Sequence, residues 1–221
     1  MMRSQYRYRL SSISYAALGF FLVGLLGADA AMAVEEPAFQ ATLIEGACEV
    51  RDYPALTVAE VQVEGSRNAA ANAGFRLIAS YIFGNNRRRE TLAASMRGPK
   101  LSAESEKIAM TAPVTQYEHD GSWTVRFVMP SIYTLDTLPV PDDTRVHLRA
   151  VPPQRIAVVR FSGLAQPADV EQKTVELRAF VVAHGLKTRE PSMLARYNPP
   201  WTPWFMRRNE VMLVLSDSDA P

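Results

Sequence analysis

The fold is decided by one stretch near the end of the chain: Tyr197-Asn198-Pro199-Pro200-Trp201-Thr202-Pro203-Trp204-Phe205-Met206-Arg207-Arg208-Asn209-Glu210-Val211-Met212-Leu213-Val214-Leu215. Proline has no backbone N–H and keeps the residue before it extended, so residues 198 to 203 are predicted to form an ordered corner and not a helix. An unbroken apolar run follows this corner. Such a run is typical of a strand buried on both faces, so Val211 to Leu215 predicts a central strand.

Composition limits the classes of protein that the chain can belong to. The 221 residues are 48% apolar and 21% charged, which suits a globular domain and argues against disorder. A formal net charge of +1 gives no global attraction to nucleic acid, so no nucleic-acid partner is expected. The single cysteine, Cys48, excludes an intramolecular disulfide and a cysteine-based metal cluster. The three histidines lack the short spacing of a metal motif, so any metal ligand stays unknown.

The first 33 residues are predicted to be a secretory signal peptide. Three arginines and no acid precede an apolar run, residues 15 to 28, and Ala31-Met32-Ala33 is a small-x-small cleavage site. Cleavage after Ala30 is an alternative. Retention as an anchor is another, although the run is shorter than the ~20 residues that a spanning helix needs. We therefore expect an exported protein without stable membrane insertion after cleavage, located in a bacterial periplasm.

Two similar segments predict an internal repeat. Val58-Ala59-Glu60-Val61-Gln62-Val63-Glu64-Gly65 resembles Ile156-Ala157-Val158-Val159-Arg160-Phe161-Ser162-Gly163, which lies 98 positions later (156 − 58). Each segment leads into a helical pattern. Ala71, Phe75, Ile78 and Ile82 share one face of the first helix, which Ser66 can cap and Gly84 can end. The second helix begins near Pro167 and ends at Gly185, and its stripe comprises Val170, Thr174, Leu177 and Val181.

Each helix is followed by a pair of strand-like runs, so each half reads β-α-β-β. The runs are residues 108–117 and 123–129 in the first half, and 193–197 and 211–215 in the second. His119-Asp120-Gly121-Ser122 predicts the first hairpin turn, and residues 145–150 add a short strand. Residues 85–106 read as a long exposed loop.

The predicted fold class is therefore α+β. One such unit cannot bury its sheet face alone, so two pseudo-repeats, at about 48–130 and 145–216, are expected to combine. The result would be a single domain over residues 34–221, a distorted, mostly antiparallel β-barrel with two flanking helices.

Several separate pieces of the sequence resemble the SOUL family of haem-binding proteins, in order and over about residues 40 to 215. They are Glu49-Val50-Arg51-Asp52-Tyr53, Phe75, Tyr81-Ile82-Phe83-Gly84-Asn85-Asn86, Lys107-Ile108-Ala109-Met110-Thr111-Ala112-Pro113-Val114, Leu138-Pro139 to Pro141, Ala157-Val158, Phe161-Ser162-Gly163, Tyr197-Asn198-Pro199-Pro200-Trp201 and Arg207-Arg208-Asn209-Glu210-Val211.

The resemblance implies a duplicated β-α-β-β barrel that binds haem or a related tetrapyrrole, non-covalently, in an apolar groove along the first helix. The cofactor-binding residues that it implies are Asn72, Phe75, Arg76, Ala79, Ser80, Phe83, Tyr197 and Arg207. Phe75 and Ala79 occupy positions that are methionine in one branch of the family, and Asn72 and Ser80 occupy positions that are basic. Asp52 stands where some animal members have a histidine proposed as an axial ligand, which excludes histidine ligation by that route.

Such a groove can bind without a ligand to the iron. Covering ~400 Å² of apolar porphyrin surface at about 25 cal/mol per Å² stabilises the complex by about 10 kcal/mol gross, against an association cost of roughly 4–15 kcal/mol. Arginine contacts to the propionates, from Arg76, Arg207, Arg208 or the loop arginines, would add affinity. For Arg207-Arg208, however, the pattern favours a structural clamp of the hairpin over a contact with the ligand. Ile78 and Ile82 are expected to belong to the core.

No catalytic constellation occurs in the sequence, so we expect a monomeric, non-enzymatic carrier or buffer of tetrapyrrole. Two alternative functions stay open. The first depends on Glu210, which lies beside two arginines at the start of an apolar strand. This carboxylate is either part of a structural ion pair or a ligand-binding group in a pocket. The duplicated plan also resembles GyrI-like domains, in which a pocket glutamate recognises cationic compounds and some members hydrolyse reactive ones. The second alternative is an interaction protein without a small ligand.

Overall fold

The computed structural model describes residues 34–89 and 104–216 of the chain. The predicted signal peptide, residues 1–33, lies outside these described residues. The elements that they form are β1 (Gln40–Glu45), β2 (Cys48–Tyr53), β3 (Leu56–Val63), α1 (Arg67–Ile82), β4 (Asn86–Arg87), β5 (Val114–His119), β6 (Ser122–Val128), β7 (Val140–Pro141), β8 (His147–Val151), β9 (Gln154–Ser162), α2 (Pro167–Ala183), β10 (Thr188–Arg196) and β11 (Arg208–Leu215).

Nine of these strands form one antiparallel sheet in the order β1-β2-β9-β11-β10-β5-β6-β3-β8, and the sheet curls into a half-barrel. The predicted α+β fold class with two helices and a curled antiparallel sheet is confirmed. β11 lies between β9 and β10, so the apolar run after the Pro-rich corner is a central strand, as predicted. Both halves have the same connectivity, because β5-β6-β3 and β10-β11-β9 are matching strand orders, and β5 pairs with β10 where the halves meet.

Each helix packs against its own half of the sheet. α2 buries Val170, Thr174, Leu177 and Val181, which is the predicted stripe, against β9, β10 and β11. α1 covers β3 and β6 and buries Ile78 and Ile82, as expected. A third apolar cluster, which includes Tyr53, Val158, Met193 and Met212, fills the other side of the curled sheet. No helix within residues 34–89 or 104–216 is long and apolar enough to cross a bilayer.

The predicted hairpin turn is confirmed. His119 pairs with Ser122, and the two residues between them have positive φ, 50° at Asp120 and 76° at Gly121. This is the conformation that an Asp-Gly turn in a two-residue hairpin favours.

Two local predictions differ from the structure, and one hairpin was missed. The hairpin of β1 with β2 was not predicted, because the exposed β1 has no clear apolar alternation. The strand expected from Ile108 begins only at Val114, after Pro113, which cannot donate to a ladder. The segment predicted as an exposed loop, residues 85–106, begins with the short strand β4, and its residues 90–103 lie outside the described residues. Asn86 is buried there, and its Nδ2 donates to the carbonyl oxygens of Tyr81 at 2.7 Å and Glu106 at 2.8 Å.

Candidate functional site

Close packing at Gly74 fixes which face of α1 points away from the sheet. A Cβ atom at Gly74 would lie 2.6 Å from the Cβ of Val125 in β6, so only glycine allows the two backbones to approach this closely. About two turns further on, the Tyr81 hydroxyl donates a 2.9 Å hydrogen bond to the carbonyl oxygen of Pro139. These contacts hold the helix in one orientation on the sheet.

The opposite face of α1 carries six of the eight predicted tetrapyrrole-binding residues. They lie on the helix or directly after it: Asn72, Phe75, Arg76, Ala79, Ser80 and Phe83. At ~100° per residue these positions fall within an arc of about 140°, so they share one face. Most of them are exposed or half-buried, including Phe83 at 58% exposed, whereas Ala79 is buried. The structure therefore brings this part of the predicted site together.

Phe75 is an apolar anchor at the edge of this face that lies nearest the sheet. Its ring packs on the ring of Phe127 in β6, with 5.8 Å between centroids and 48° between planes, yet it stays 38% exposed. Phe127 is fully buried and is a contributor that sequence analysis did not identify. Buried aromatic support restricts the Phe75 side chain, so its exposed edge is a rigid apolar surface and not a mobile one.

The charge of the helix favours an anionic ligand. Residues 67 to 83 include two arginines, Arg67 and Arg76, and no acidic residue. Arg76 is exposed on the face just described. A ligand with an apolar body and carboxylate arms would therefore meet apolar and cationic groups on α1, without repulsion from a helix carboxylate.

Tyr197, the seventh predicted residue, lies elsewhere and belongs to a buried ion-pair network. Its hydroxyl donates a 2.6 Å hydrogen bond to Glu210 Oε2, and the guanidinium of Arg208 lies over its ring at 3.7 Å. Burial, and then the neighbouring carboxylate of Glu210, raise the pKa of Tyr197 well above its usual range. This side chain is a neutral donor that supports Glu210.

Glu210 is fully buried and has two arginine partners. Arg51 donates to both carboxylate oxygens, at 2.8 and 3.0 Å, and Arg208 Nε donates at 2.9 Å. Burial raises the pKa of Glu210, but hydrogen bonds from Arg51 and Tyr197 outweigh burial and hold the pKa below its usual value. The carboxylate is therefore ionised and paired, which is the structural alternative raised for it from the sequence.

Arg207, the eighth predicted residue, clamps the Pro-rich corner. Its Nε donates a 2.8 Å hydrogen bond to the carbonyl oxygen of Thr202, and its Nη2 donates to that of Pro200. It also lines a shallow cleft of about 420 Å³, together with Arg160, Phe205, Met206 and four neighbours. The corner continues into a short 3-10 helix, Trp204–Met206, and four large apolar side chains of this extended corner are more than 60% exposed: Trp201, Trp204, Phe205 and Met206. The chain thus has a second exposed apolar surface.

Comparison with known proteins identifies the family of the chain. The model of the family described as "SOUL heme-binding protein" matches residues 34–214. The chain belongs to the SOUL family. Among curated proteins, none has a sequence that matches this SOUL chain.

Solved structures share the SOUL fold at low sequence identity. An uncharacterized conserved protein from Listeria innocua has a TM-score of 0.51 and 14% identity, with 76% of this chain and 92% of that chain covered. The C-terminal domain of EcmrR has a TM-score of 0.50 and 10% identity, with coverage of 80% and 98%. A hydrolase from Listeria innocua has a TM-score of 0.49 and 13% identity, with coverage of 83% and 94%. At these identities the likeness to the first two structures concerns the fold alone.

The α1 face of this SOUL protein fits the periphery of a tetrapyrrole better than its iron. The half-exposed Phe75 suits the ring, and Arg76 suits a propionate, but residues 67 to 83 contain no histidine, cysteine or methionine. Asp52 is exposed and lies 3.7 Å from Arg155, so it belongs to a surface ion pair. In the part of the chain that the structure describes, no group of three or more His, Cys, Asp or Glu side chains could hold a metal ion.

Proposed function

We propose that this SOUL protein binds haem or a related tetrapyrrole, non-covalently and reversibly, on the outward face of α1. The proposal extends to a role as carrier or buffer without catalysis, as a monomer, in the periplasm to which the predicted signal peptide would direct the chain. The observation that carries it is the combination of family membership over residues 34–214 with a rigid, exposed apolar residue, Phe75, on a helix that has arginines and no acid.

The size of the Phe75 contribution can be worked out from its exposure. A phenylalanine of about 200 Å² that is 38% exposed offers roughly 80 Å² to a ligand, which at about 25 cal/mol per Å² stabilises the complex by about 2 kcal/mol. That corresponds to a change of more than tenfold in the dissociation constant. Phe83 offers a larger exposed fraction at the end of the same face.

The buried network around Glu210 supports this function over the GyrI-like alternative. A glutamate that recognises a cationic compound must exchange its present partners for the ligand. Here the exchange would break hydrogen bonds from Arg51, Arg208 and Tyr197 to Glu210. Among the described carboxylates, the almost fully buried Arg51 would then keep only the partly exposed Glu49 as a partner. Leaving a buried charge without its partner is strongly unfavourable. Glu210 is accordingly assigned to stability and not to ligand recognition.

A haem titration followed in the Soret region tests the proposal. The wild-type protein should give a saturable spectral change at micromolar protein, and Phe75→Glu should bind at least about tenfold more weakly, because it removes apolar contact and adds a charge that repels propionate. Val182→Glu is the matched control, since Val182 is an exposed apolar residue on α2, and it should bind as the wild type does. Phe205→Glu, in the corner, should also bind as the wild type does.

Two results would contradict the proposal. Equal binding by Phe75→Glu and wild type, with loss of binding in Phe205→Glu, would place the ligand at the corner cleft. No saturable change for the wild type would reject tetrapyrrole binding and would leave the interaction hypothesis, for which the exposed corner is the candidate surface.

A further inference from the structure

One buried amide connects the side chain of Arg196 to the main chain of Arg67. Arg67 is the first residue of α1 and Arg196 is the last residue of β10. Between them lies Gln116 of β5, which is 2% exposed. Its Nε2 donates a 3.1 Å hydrogen bond to the main-chain carbonyl of Arg67, and its Oε1 accepts a hydrogen bond from Arg196 Nη1. Gln116 thus fixes Arg196 beside the beginning of the helix.

Neither guanidinium has a carboxylate partner among the described residues, and Arg67 Nη1 is buried without any hydrogen-bond acceptor. The buried Arg51 and the half-buried Arg126 differ, since Arg51 pairs with Glu210 and Arg126 with Glu60. Burial, and then the positive charge of Arg67, lower the pKa of Arg196. A desolvated N–H group without an acceptor is unfavourable, and so is the proximity of a second cation. A bound anion would accept the hydrogen bond and would offset the positive charge.

The strand register places Arg196 on the same side of the sheet as the α1 surface. Arg196 is directly opposite Val114, and Val114 is directly opposite Phe127, the residue on which Phe75 packs. Directly opposite residues project from the same face, and strands lie ~4.8 Å apart, so two strand spacings of about 10 Å separate Arg196 from Phe127. Arg67 precedes Phe75 by eight residues, or about 12 Å along the helix. On the helix Arg67 lies about 80° from Phe75 and about 20° from Gly74, on the side that faces the sheet. A porphyrin ring on Phe75 would therefore have to extend its propionate arm inward past the edge of α1 to reach Arg67.

The cleft at Arg67 favours a carboxylate over a more highly charged anion. The cleft has a volume of about 410 Å³ and is lined by Arg67, Trp123, Ser192 and five neighbours. The Arg67 guanidinium lies 5.4 Å from the centre of the Trp123 ring, which orients it. Two acids, Glu118 and Asp120, also line the cleft. Their charges disfavour a dianionic phosphate more than a singly charged carboxylate.

We propose that Arg67 and Arg196 bind a propionate carboxylate of the tetrapyrrole. This inference rests on the proposed function and adds two residues to it. The carboxylate supplies the acceptor that Arg67 Nη1 lacks and neutralises one of the two adjacent positive charges. These arginines then select a tetrapyrrole that has free acid groups over one whose acids are esterified.

The test compares mesoporphyrin with its dimethyl ester in a fluorescence titration. The wild type should bind the free acid at least about tenfold more tightly, because a hydrogen bond to a charged group contributes at least that much. Arg67→Gln and Arg196→Gln should reduce this preference to below about threefold. Arg155→Gln is the control, because Arg155 is an exposed arginine 3.7 Å from the carboxylate of Asp52. This variant should keep the preference for the free acid over the ester. Arg67→Gln should also melt at the same or a higher temperature without ligand, since it removes an unsatisfied charge.

Each other outcome overturns the inference in a recognisable way. Equal binding of acid and ester by the wild type rejects the carboxylate site and leaves tetrapyrrole binding intact. Binding of neither compound rejects both. An equal loss of preference in Arg155→Gln would mean that overall charge is responsible. If acetate raises the melting temperature of the wild type but not of Arg67→Gln, while the porphyrin preference is absent, the carboxylate source is a free organic acid and not a propionate.

Discussion

Replacing Glu210 with glutamine separates a structural carboxylate from a ligand-binding one. Glutamine keeps the shape of the side chain and can still accept the hydrogen bond from Tyr197, but it removes the negative charge that Arg51 and Arg208 share. The change therefore tests the charge of the network and not its packing.

The expected loss of unfolding free energy follows from how little of Arg51 and Glu210 is exposed. The Arg51 side chain is 2% exposed and that of Glu210 is 0% exposed, and removal of one member of such a pair costs about 3–5 kcal/mol. Arg51 keeps a contact with Glu49, and Arg208 keeps one with Glu36, so the loss should lie near the lower end, about 3 kcal/mol. Arg51→Met combined with Glu210→Gln should cost clearly less than the sum of the two single changes, because neither charge is then left alone.

Urea unfolding followed by circular dichroism measures these free energies. Asp142→Asn is the control, because Asp142 and Arg87 form an ion pair in which both side chains are 49% exposed, and such pairs contribute at most about 1 kcal/mol. The haem affinity of folded Glu210→Gln should equal that of the wild type. A loss below about 1 kcal/mol for Glu210→Gln, or a specific loss of haem binding or of cationic-ligand binding, would refute the structural assignment.

Two further predictions concern packing and pH. Gly74→Ala should destabilise the protein by about 1–2 kcal/mol in urea unfolding, because overpacking against Val125 exceeds the gain of about 1 kcal/mol in helix propensity. The exposed Asn72→Ala should instead be neutral or slightly stabilising, and a stabilising Gly74→Ala would contradict the close packing. Because the folded-state pKa of Glu210 is lowered below its ordinary 4.5, its stabilisation is complete above that pH and is lost as the pH falls further. The unfolding free energy of the wild type should therefore decline more steeply below pH 4.5 than that of Glu210→Gln, and parallel curves would contradict the linkage.

The elements with strong local signals could be predicted from the sequence. The stripe of α2, the Asp-Gly hairpin turn and the central strand after the corner each depend on neighbouring residues, and the structure has all three. β1 could not be predicted, because its pairing with β2 leaves nearly every residue exposed and produces no apolar alternation. β4 is two residues long, and its buried Asn86 is satisfied by contacts that local sequence does not reveal.

The candidate site was predictable only where it follows one helix. The resemblance to the SOUL family groups Phe75 with Asn72 and Ala79, whereas helical spacing alone places Phe75 with Ile78. The separation of the exposed Phe75 from the buried Ile78 requires the position of β6. Pairs such as Arg51 with Glu210, 159 residues apart, carry no local signal. The grouping of Arg67, Gln116 and Arg196 likewise depends on the register of β5 with β10.

The most direct test of tetrapyrrole binding on α1 is an NMR titration of the labelled protein with zinc protoporphyrin, which is diamagnetic. The largest changes in backbone amide shifts should fall on residues 67 to 83 and on the facing residues Val114 and Arg196. Shift changes concentrated between Trp201 and Arg207, or no saturable changes at all, would contradict the assignment.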